Sequence, residues 1–430
     1  MTGVPLTGVA RTAVPMSARA QRAISECRLL ATMTEEPGRI TRTFLSAPMH
    51  EAHRHLRTRM EALGMTVRVD AAGNLRGLWR PEGATGKRMA IGSHIDTVPN
   101  AGAFDGVLGV MLALEWVGIA QELGFRLPIE VIAFSEEKGV RYGLPYLGSR
   151  AVAGSFDVSL LALTDADGVT VETALRSFGL DPASIGEAAV NDDAFCFIEV
   201  HIEQGPLLEA EGLSVAAVTA IVGQTRLTLT FAGHANHAGT APMHLRRDAL
   251  AAAAEWIATV ETCGRNIPGL AATVGRINVE PNVGNVVPGM ARVSLDVRHA
   301  EDAARIGAVK DLLEKANAIA VRRGLKLECA GQLEQPAVPM DARLTAIMSA
   351  AIEAAGYPLK TMPSGAGHDA IVMAARLPTA MLFVRSPGGI SHHPAEDVRE
   401  EDVGASLHVA RAFLQRLSRD SALDVGYDAG

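Results

Sequence analysis

The sequence is poor in cysteine, and its four thiols are poorly placed to pair. Cys27, Cys196, Cys263 and Cys329 lie far apart, with no CxxC spacing. That excludes a disulfide framework or a zinc knuckle and fits reduced cytosolic thiols. An excess of positive charge is also missing. Lys and Arg total 40 against 48 Asp and Glu, a net charge of −8, so nothing favours a nucleic-acid or other polyanionic partner. No uninterrupted apolar run reaches the roughly 18 residues that a membrane span requires. The opening "MTGVPLTGVARTAVPMSARA" has no continuous apolar segment, so residues 1–19 read as a loose leader rather than a signal peptide. Internal repeats and low-complexity stretches are absent as well. These gaps together describe a soluble cytoplasmic protein without a membrane partner.

At 430 residues, 48% of them hydrophobic, the chain exceeds what one core usually serves, and two domains are expected. Helical periodicity runs from about Ala18 to Met33 and from about Met49 to Leu63. Short apolar runs follow in "MTVRVDAAGNLRGLW", "RMAIGSH" and "IEVIAFS". Between the last two, "GVLGVMLALEWVGIAQELG" repeats apolar residues at helical steps over its whole length. Buried runs alternating with helices predict an α/β fold, a mainly parallel sheet with helices on both faces. Polar residues at the carboxyl ends of such strands line the ligand crevice, and "GSHID" and "SEEKG" both sit there.

The middle of the chain has a different rhythm. "TRLTLTFAG" alternates Leu227, Leu229 and Phe231 with threonines, as a half-exposed strand does. A helix, two further strands, a second helix and "LKLECAG" follow. The order β-α-β-β-α-β is a split βαβ unit able to fold alone. It is placed at residues 213–330, leaving 20–212 and 331–430 for the larger domain, which the run "TAMLFVR" completes.

Several residues able to do chemistry follow apolar runs or sit in glycine-rich turns. They are His94 and Asp96 in "GSHIDTV", Asp105 in "AFDG", Glu136 and Glu137, His201 in "EVHIEQG", and His392 in "GGISHHPAE". Imidazole and carboxylate together suit a divalent metal such as zinc or manganese. One carboxylate can bridge two such ions, and a free one beside them can act as general base. The plainer alternatives stay open on spacing alone. A lone histidine at a strand end is commonly a hydrogen-bonded structural residue, adjacent carboxylates are commonly solvated, and "GHANHAGTAPM" could be only a polar loop.

The ordered set "GSHIDTVPNAGAFDGVLGV", "FSEEKGVRYGLPYLGSRAVAG", "EVHIEQGP", "GHANHAGTAPM", "NVVPG", "DVRHA", "SGAGHDA" and "GGISHHPAE" resembles the aminoacylase/carboxypeptidase-like metallopeptidase superfamily. Within it, the chain is most similar to the amidase/hydantoinase-carbamoylase branch. That branch contains allantoate amidohydrolases, N-carbamoyl-L-amino-acid hydrolases and ureidopropionases, and "EEPGRITRTFLS" looks most like the first of these. The resemblance implies a two-metal catalytic domain acting on a small acidic ureido or amide substrate, and an inserted lid domain that makes a homodimer. It implies that His94 and His201 hold one metal and His392 the other, with Asp105 bridging and Asp96 orienting His94. It further implies substrate contacts from Gln204, His237, Asn285, Arg298, Gly367 and His368, His237 polarising the scissile carbonyl from the partner subunit. Arg298 shares a strand face with Ser294 and Asp296, where a guanidinium suits a bidentate grip on a carboxylate. Without the resemblance it is an exposed edge-strand charge.

One position departs from the pattern. The family runs Phe, two residues, then Glu-Glu-Gly, the first glutamate being base and the second a ligand. Aligned without a gap on Phe134 and Gly139, Glu137 is the base and Lys138 stands at the ligand position. At about 4 Å and an effective dielectric near 20, a unit charge pair is worth roughly 4 kcal/mol, and a dication doubles the repulsion. Three readings follow. A bulge could bring Glu136 and Glu137 into the base and ligand roles; Lys138 could be uncharged or carbamylated; or one metal suffices, held by His94, Asp105 and His201. One strong and one weak or empty site is the expectation. The activity alternatives are an aminoacylase-like or dipeptidase reaction, and a catalytically silent ligand-binding homologue.

Overall fold

The computed structural model describes residues 14–84 and 86–419. Its backbone divides into two compact units. One comprises the described residues up to Thr219, Met340–Met362 and those from His368 onward; the other comprises Ala220–Pro339 and Pro363–Gly367.

The larger unit is built on a sheet whose strands lie in the order Thr66–Val69, Leu75–Trp79, Ile129–Phe134, Arg88–His94, Ala194–Ile202, Thr379–Val384 and Val215–Ile221. The four strands from Ile129–Phe134 to Thr379–Val384 are mutually parallel, and the flanking pairs are antiparallel. Three of the four are buried along their whole length, and the fourth, Ala194–Ile202, except at Phe195. This is why they appear in sequence as unbroken apolar runs rather than alternations. Alternate residues still divide between two faces. Met89, Ile91, Ile129, Val131, Ile198 and Val200 join a core shared with helices Met16–Ala31, Val107–Leu123, Ala342–Ala354 and Glu400–Leu417. Phe134 and Phe197 meet edge to face, outside that core.

The first helix begins at Met16, so residues 16–19, expected in the leader, are helical; residues 1–13 lie outside the described residues. Helix Val107–Leu123 is buried on every side from Val107 to Ala120, which accounts for its apolar residues at all azimuths. It runs directly against the parallel strands. At Gly109 an added Cβ would stand 2.1 Å from the Val200 carbonyl oxygen and 2.8 Å from Ser93 Cβ.

In the smaller unit the strands Ile277–Glu280, Met290–His299, Gly223–Ala232 and Lys326–Gln335 form an antiparallel sheet in that order. Helices Ala249–Asn266 and Asp302–Arg322 supply Trp256, Val260, Leu312 and Ile319 to a core completed by Leu229, Phe231, Val293, Leu295 and Val297. The boundary drawn at about 330 falls inside Lys326–Gln335. That strand is exposed at nearly every position and carries no apolar alternation to mark its extent.

Gly109→Ala should destabilise the chain by about 1–3 kcal/mol, since relief requires the helix to lift from the sheet. A urea denaturation midpoint matching that of the unaltered chain would show that this close approach is not needed.

Candidate metal centre

Neighbouring parallel strands end in the two histidines. His94 closes Arg88–His94 and His201 lies near the end of Ala194–Ile202, their rings 5.7 Å apart and both buried. Asp105 arrives from the turn before helix Val107–Leu123. Gly106 follows it at φ 69°, and a Cβ there would stand 2.4 Å from His94 Nε2. Only glycine lets this turn close on the imidazole. Glu396 Oε1 accepts the main-chain N–H groups of Phe104 and Asp105, both at 2.9 Å, and so fixes the turn.

Hydrogen bonding assigns the tautomers. His94 Nδ1 lies 2.9 Å from the main-chain oxygen of Asp96, and His201 Nδ1 2.9 Å from that of Ile202. A carbonyl oxygen can only accept, so each Nδ1 carries a hydrogen, and in the neutral ring the lone pair falls on Nε2. Both Nε2 atoms are buried without a hydrogen-bond partner among the described residues. They stand 3.8 and 3.3 Å from the same oxygen, Asp105 Oδ1. The ligand atoms of His94, Asp105 and His201 all lie within 4.8 Å of one another. Two imidazole lone pairs and a carboxylate converging in a buried space fit a divalent ion.

Asp96 stands beside His94 and is also bonded to the main chain after Phe134. Its carboxylate lies 3.5 Å from His94 Nδ1, whereas it accepts the main-chain N–H groups of Glu137 at 3.0 Å and Lys138 at 2.9 Å. This clamp sets the direction of the residues after strand Ile129–Phe134. Glu137 Oε2 then lies buried, 3.8 Å from His94 Nε2. Glu136 points elsewhere; burial, Asp96 and Glu137 push its carboxyl well above the usual range. The gap-free register therefore describes the backbone here, and no bulge brings Glu136 to the centre.

Lys138 Nζ stands 2.9 Å from Asp105 Oδ2 and 2.9 Å from Glu137 Oε2. Burial opposes its charge, but Asp105 and Glu137 together hold its pKa well above the ordinary lysine value. The same contacts act on Asp105. Burial alone would raise its carboxyl, yet Lys138, His201, His392 and His94 hold it well below the usual carboxylate range. For His94, burial and Lys138 favour the neutral ring, and Asp105 and Glu137 outweigh them to give a pKa of about 9.

His392 Nε2 approaches Asp105 Oδ2 at 3.2 Å from a half-exposed loop position. Gln204 Nε2 donates to Asp105 Oδ1 at 3.0 Å and to Ser391 Oγ at 3.1 Å, placing this expected substrate contact on Asp105 itself. His368 packs edge-on against His201, ring centroids 4.4 Å apart. The remaining expected residues belong to the smaller unit. Ala238 N–H donates to Asn285 O at 2.9 Å, bringing Asn285 beside His237. Gly239 N–H donates to His237 Nδ1 at 3.1 Å, which leaves the ring hydrogen on Nε2. Arg298 donates to Asp296 through Nε at 2.9 Å and Nη2 at 3.0 Å, and to Gly365 O at 2.8 Å, close to Gly367.

Sequence reasoning passed over Glu199 and Glu396. Glu199 accepts from Ser93 Oγ and from Ala370 N–H, both at 2.9 Å, beneath the centre. Its signal was available: it lies two residues before His201 on one strand, hence on the same face.

Residues 90–416 match the model of peptidase family M20/M25/M40. The chain is 35% identical over 427 residues to allantoate deiminase from Arabidopsis thaliana, covering 91% of this chain and 81% of that one. It is 37% identical over 385 residues to an N-carbamoyl-L-amino acid amidohydrolase from Geobacillus stearothermophilus, covering 89% and 94%. Among solved structures, an amidase of the hydantoinase/carbamoylase family from Burkholderia multivorans superposes with a TM-score of 0.87 at 33% identity, covering 92% and 97%.

Proposed function

The chain belongs to peptidase family M20/M25/M40, and from that premise we propose that it is a metal-dependent amidohydrolase cleaving a C–N bond of a ureido or N-carbamoyl acid. Allantoate and N-carbamoyl-L-amino acids are the candidate substrates. The observation that carries this reading is the convergence of His94, Asp105 and His201 with Glu137 directly beside them. The relatives described above carry deiminase and amidohydrolase names, which favours neither an aminoacylase or dipeptidase reaction nor a silent binding protein.

His94, Asp105 and His201 would hold a divalent ion, zinc or manganese, in the strong site. A second site, reached by Asp105 Oδ2 and His392, would be weakened by Lys138. Bound in the strong site, such an ion would lower the pKa of water and polarise a carbonyl. Glu137 turns its carboxylate to the centre, Oε2 lying 3.8 Å from His94 Nε2, and it suits the general base. It takes one proton from the attacking water as the new C–O bond forms at the ureido carbon. It returns that proton to the nitrogen as the C–N bond breaks. His237, with its hydrogen on Nε2, can donate to the oxygen that gains charge during attack. Gln204, Asn285, Gly367 and His368 complete the substrate contacts. Arg298 meets the substrate carboxylate, its guanidinium plane preset by Asp296. We further propose a homodimer in the cytoplasm, with His237 serving the partner subunit's site. Among the described residues no helix is long and apolar enough to cross a membrane.

Glu137→Gln should lower kcat on the best ureido substrate by about 10²–10⁴-fold with little change in KM. Retention of full turnover would remove Glu137 from the chemistry. Arg298→Ala should cost acidic substrates at least about 2 kcal/mol in kcat/KM while sparing the corresponding neutral amides. An equal loss on both would mean that the guanidinium does not read the carboxylate. Light scattering should return twice the mass of one chain. A fully active monomer at high micromolar concentration would sink both the dimer and the cross-subunit role of His237.

A further inference from the structure

We infer that Lys138 is a built-in second cation, and that this chain holds one metal ion per subunit where the family pattern provides for two. The inference rests on the functional reading above for its catalytic meaning, though not for its metal count. Asp105 divides its two oxygens between two sets of partners. On the Oδ1 side stand His94 Nε2, His201 Nε2 and Gln204 Nε2. On the Oδ2 side stand Lys138 Nζ and His392 Nε2, at 2.9 and 3.2 Å. A second ion bridged by Asp105 and bound by His392 would have to sit against Oδ2, where the ammonium already is.

Three observations make this placement a property of the fold rather than a passing rotamer. The Lys138 side chain is only 7% exposed, so it has no solvated position close by. Its backbone is tied to the Asp96 carboxylate by its own N–H and that of Glu137. Its ammonium spans two carboxylates at equal 2.9 Å distances, a separation at which each contact is a charge-assisted hydrogen bond. Among the described residues, His94, Asp105 and His201 form a cluster of three groups close enough to hold a metal, whereas no cluster of three includes both Asp105 and His392, whose further neighbour on Oδ2 is the ammonium. The residues on the Oδ2 side therefore do not fit a second ion.

The ammonium can meet part of the electrostatic demand that a second ion would meet. It neutralises charge between Asp105 and Glu137, which would otherwise repel, and it holds the Glu137 carboxylate beside His94. It cannot accept a lone pair from water, so activation of the nucleophile falls to the Oδ1 side alone. Lys138 is thus a positioning residue acting through Glu137 and Asp105.

The test is metal content by plasma mass spectrometry after saturation with manganese or zinc and removal of excess ion, joined to steady-state kinetics. The unaltered chain should hold one ion. Lys138→Glu should hold two, because a ligand then replaces a competitor. Lys138→Met, neutral and similar in length, should still hold one ion, with kcat reduced at least about tenfold and KM nearly unchanged. Two ions in the unaltered chain, or one in a folded Lys138→Glu, would overturn the inference, as would undiminished kcat in Lys138→Met. Should Lys138→Glu fail to fold, the other two proteins still decide the matter. The metal counts require no substrate. Single occupancy without ureido hydrolysis would refute the functional reading and leave the single-ion site intact.

Discussion

A single buried carboxylate, Asp105, is the charge on which the centre depends. It is almost fully shielded from water, and desolvation on its own would favour the protonated acid. Instead three imidazoles and one ammonium converge on its two oxygens and hold it ionised. The reverse dependence is equally strong. Lys138, buried among the same groups, keeps its proton because Asp105 and Glu137 are there. Each charge supports the other, and removal of either takes from a buried group one of the opposite charges that compensate it. A divalent ion entering between His94, Asp105 and His201 meets a site already arranged around one negative group.

The fold serves this carboxylate by converging elements that are remote in sequence. Parallel strands bring His94 and His201 to the same end of the sheet. The helix after Asp105 crosses the strands closely enough that Gly109 cannot carry a side chain, and the turn at Gly106 closes onto His94 for the same steric reason. Glu396 binds the amides of that turn from far along the chain. Gln204 and His392 both reach Asp105 from positive φ angles, 58° and 55°. A non-glycine residue held there costs of order 1–3 kcal/mol, and such strain gathers where geometry serves a ligand rather than stability.

Much of this was legible in the sequence, for identifiable reasons. The buried strands and the helix Val107–Leu123 are apolar on all sides, a signal that burial imposes directly. The metal-facing histidines sit where parallel strands end, so strand recognition carries site recognition with it. Sequence failed where exposure removes the signal, as along Lys326–Gln335, whose end lies beyond the boundary expected at about 330. The type and position of Asp96 suggest a carboxylate partner for His94, but the main-chain oxygen takes that bond and frees the carboxylate to clamp Glu137 and Lys138. Glu199 escaped notice because a glutamate in a strand is ordinarily solvated, and only the three-dimensional sheet buries it under His201.

The departure at residue 138 shows why a motif and its geometry can part company. In a motif, a lysine in a ligand position reads as a lost carboxylate, and the expected consequence is a damaged site. In space, its long side chain places the charge about where the missing ion's charge would be, between Asp105 and Glu137. Charge balance around Asp105 is kept, while an ammonium offers no coordination. These two properties usually travel together in a metal ion, and a lysine separates them. Orientation of the base needs only the charge, whereas activation of water needs the vacant coordination position. On the single-ion proposal the Oδ1 side would retain the second requirement and the Oδ2 side the first, so the exchange would divide the labour of the centre rather than abolish it.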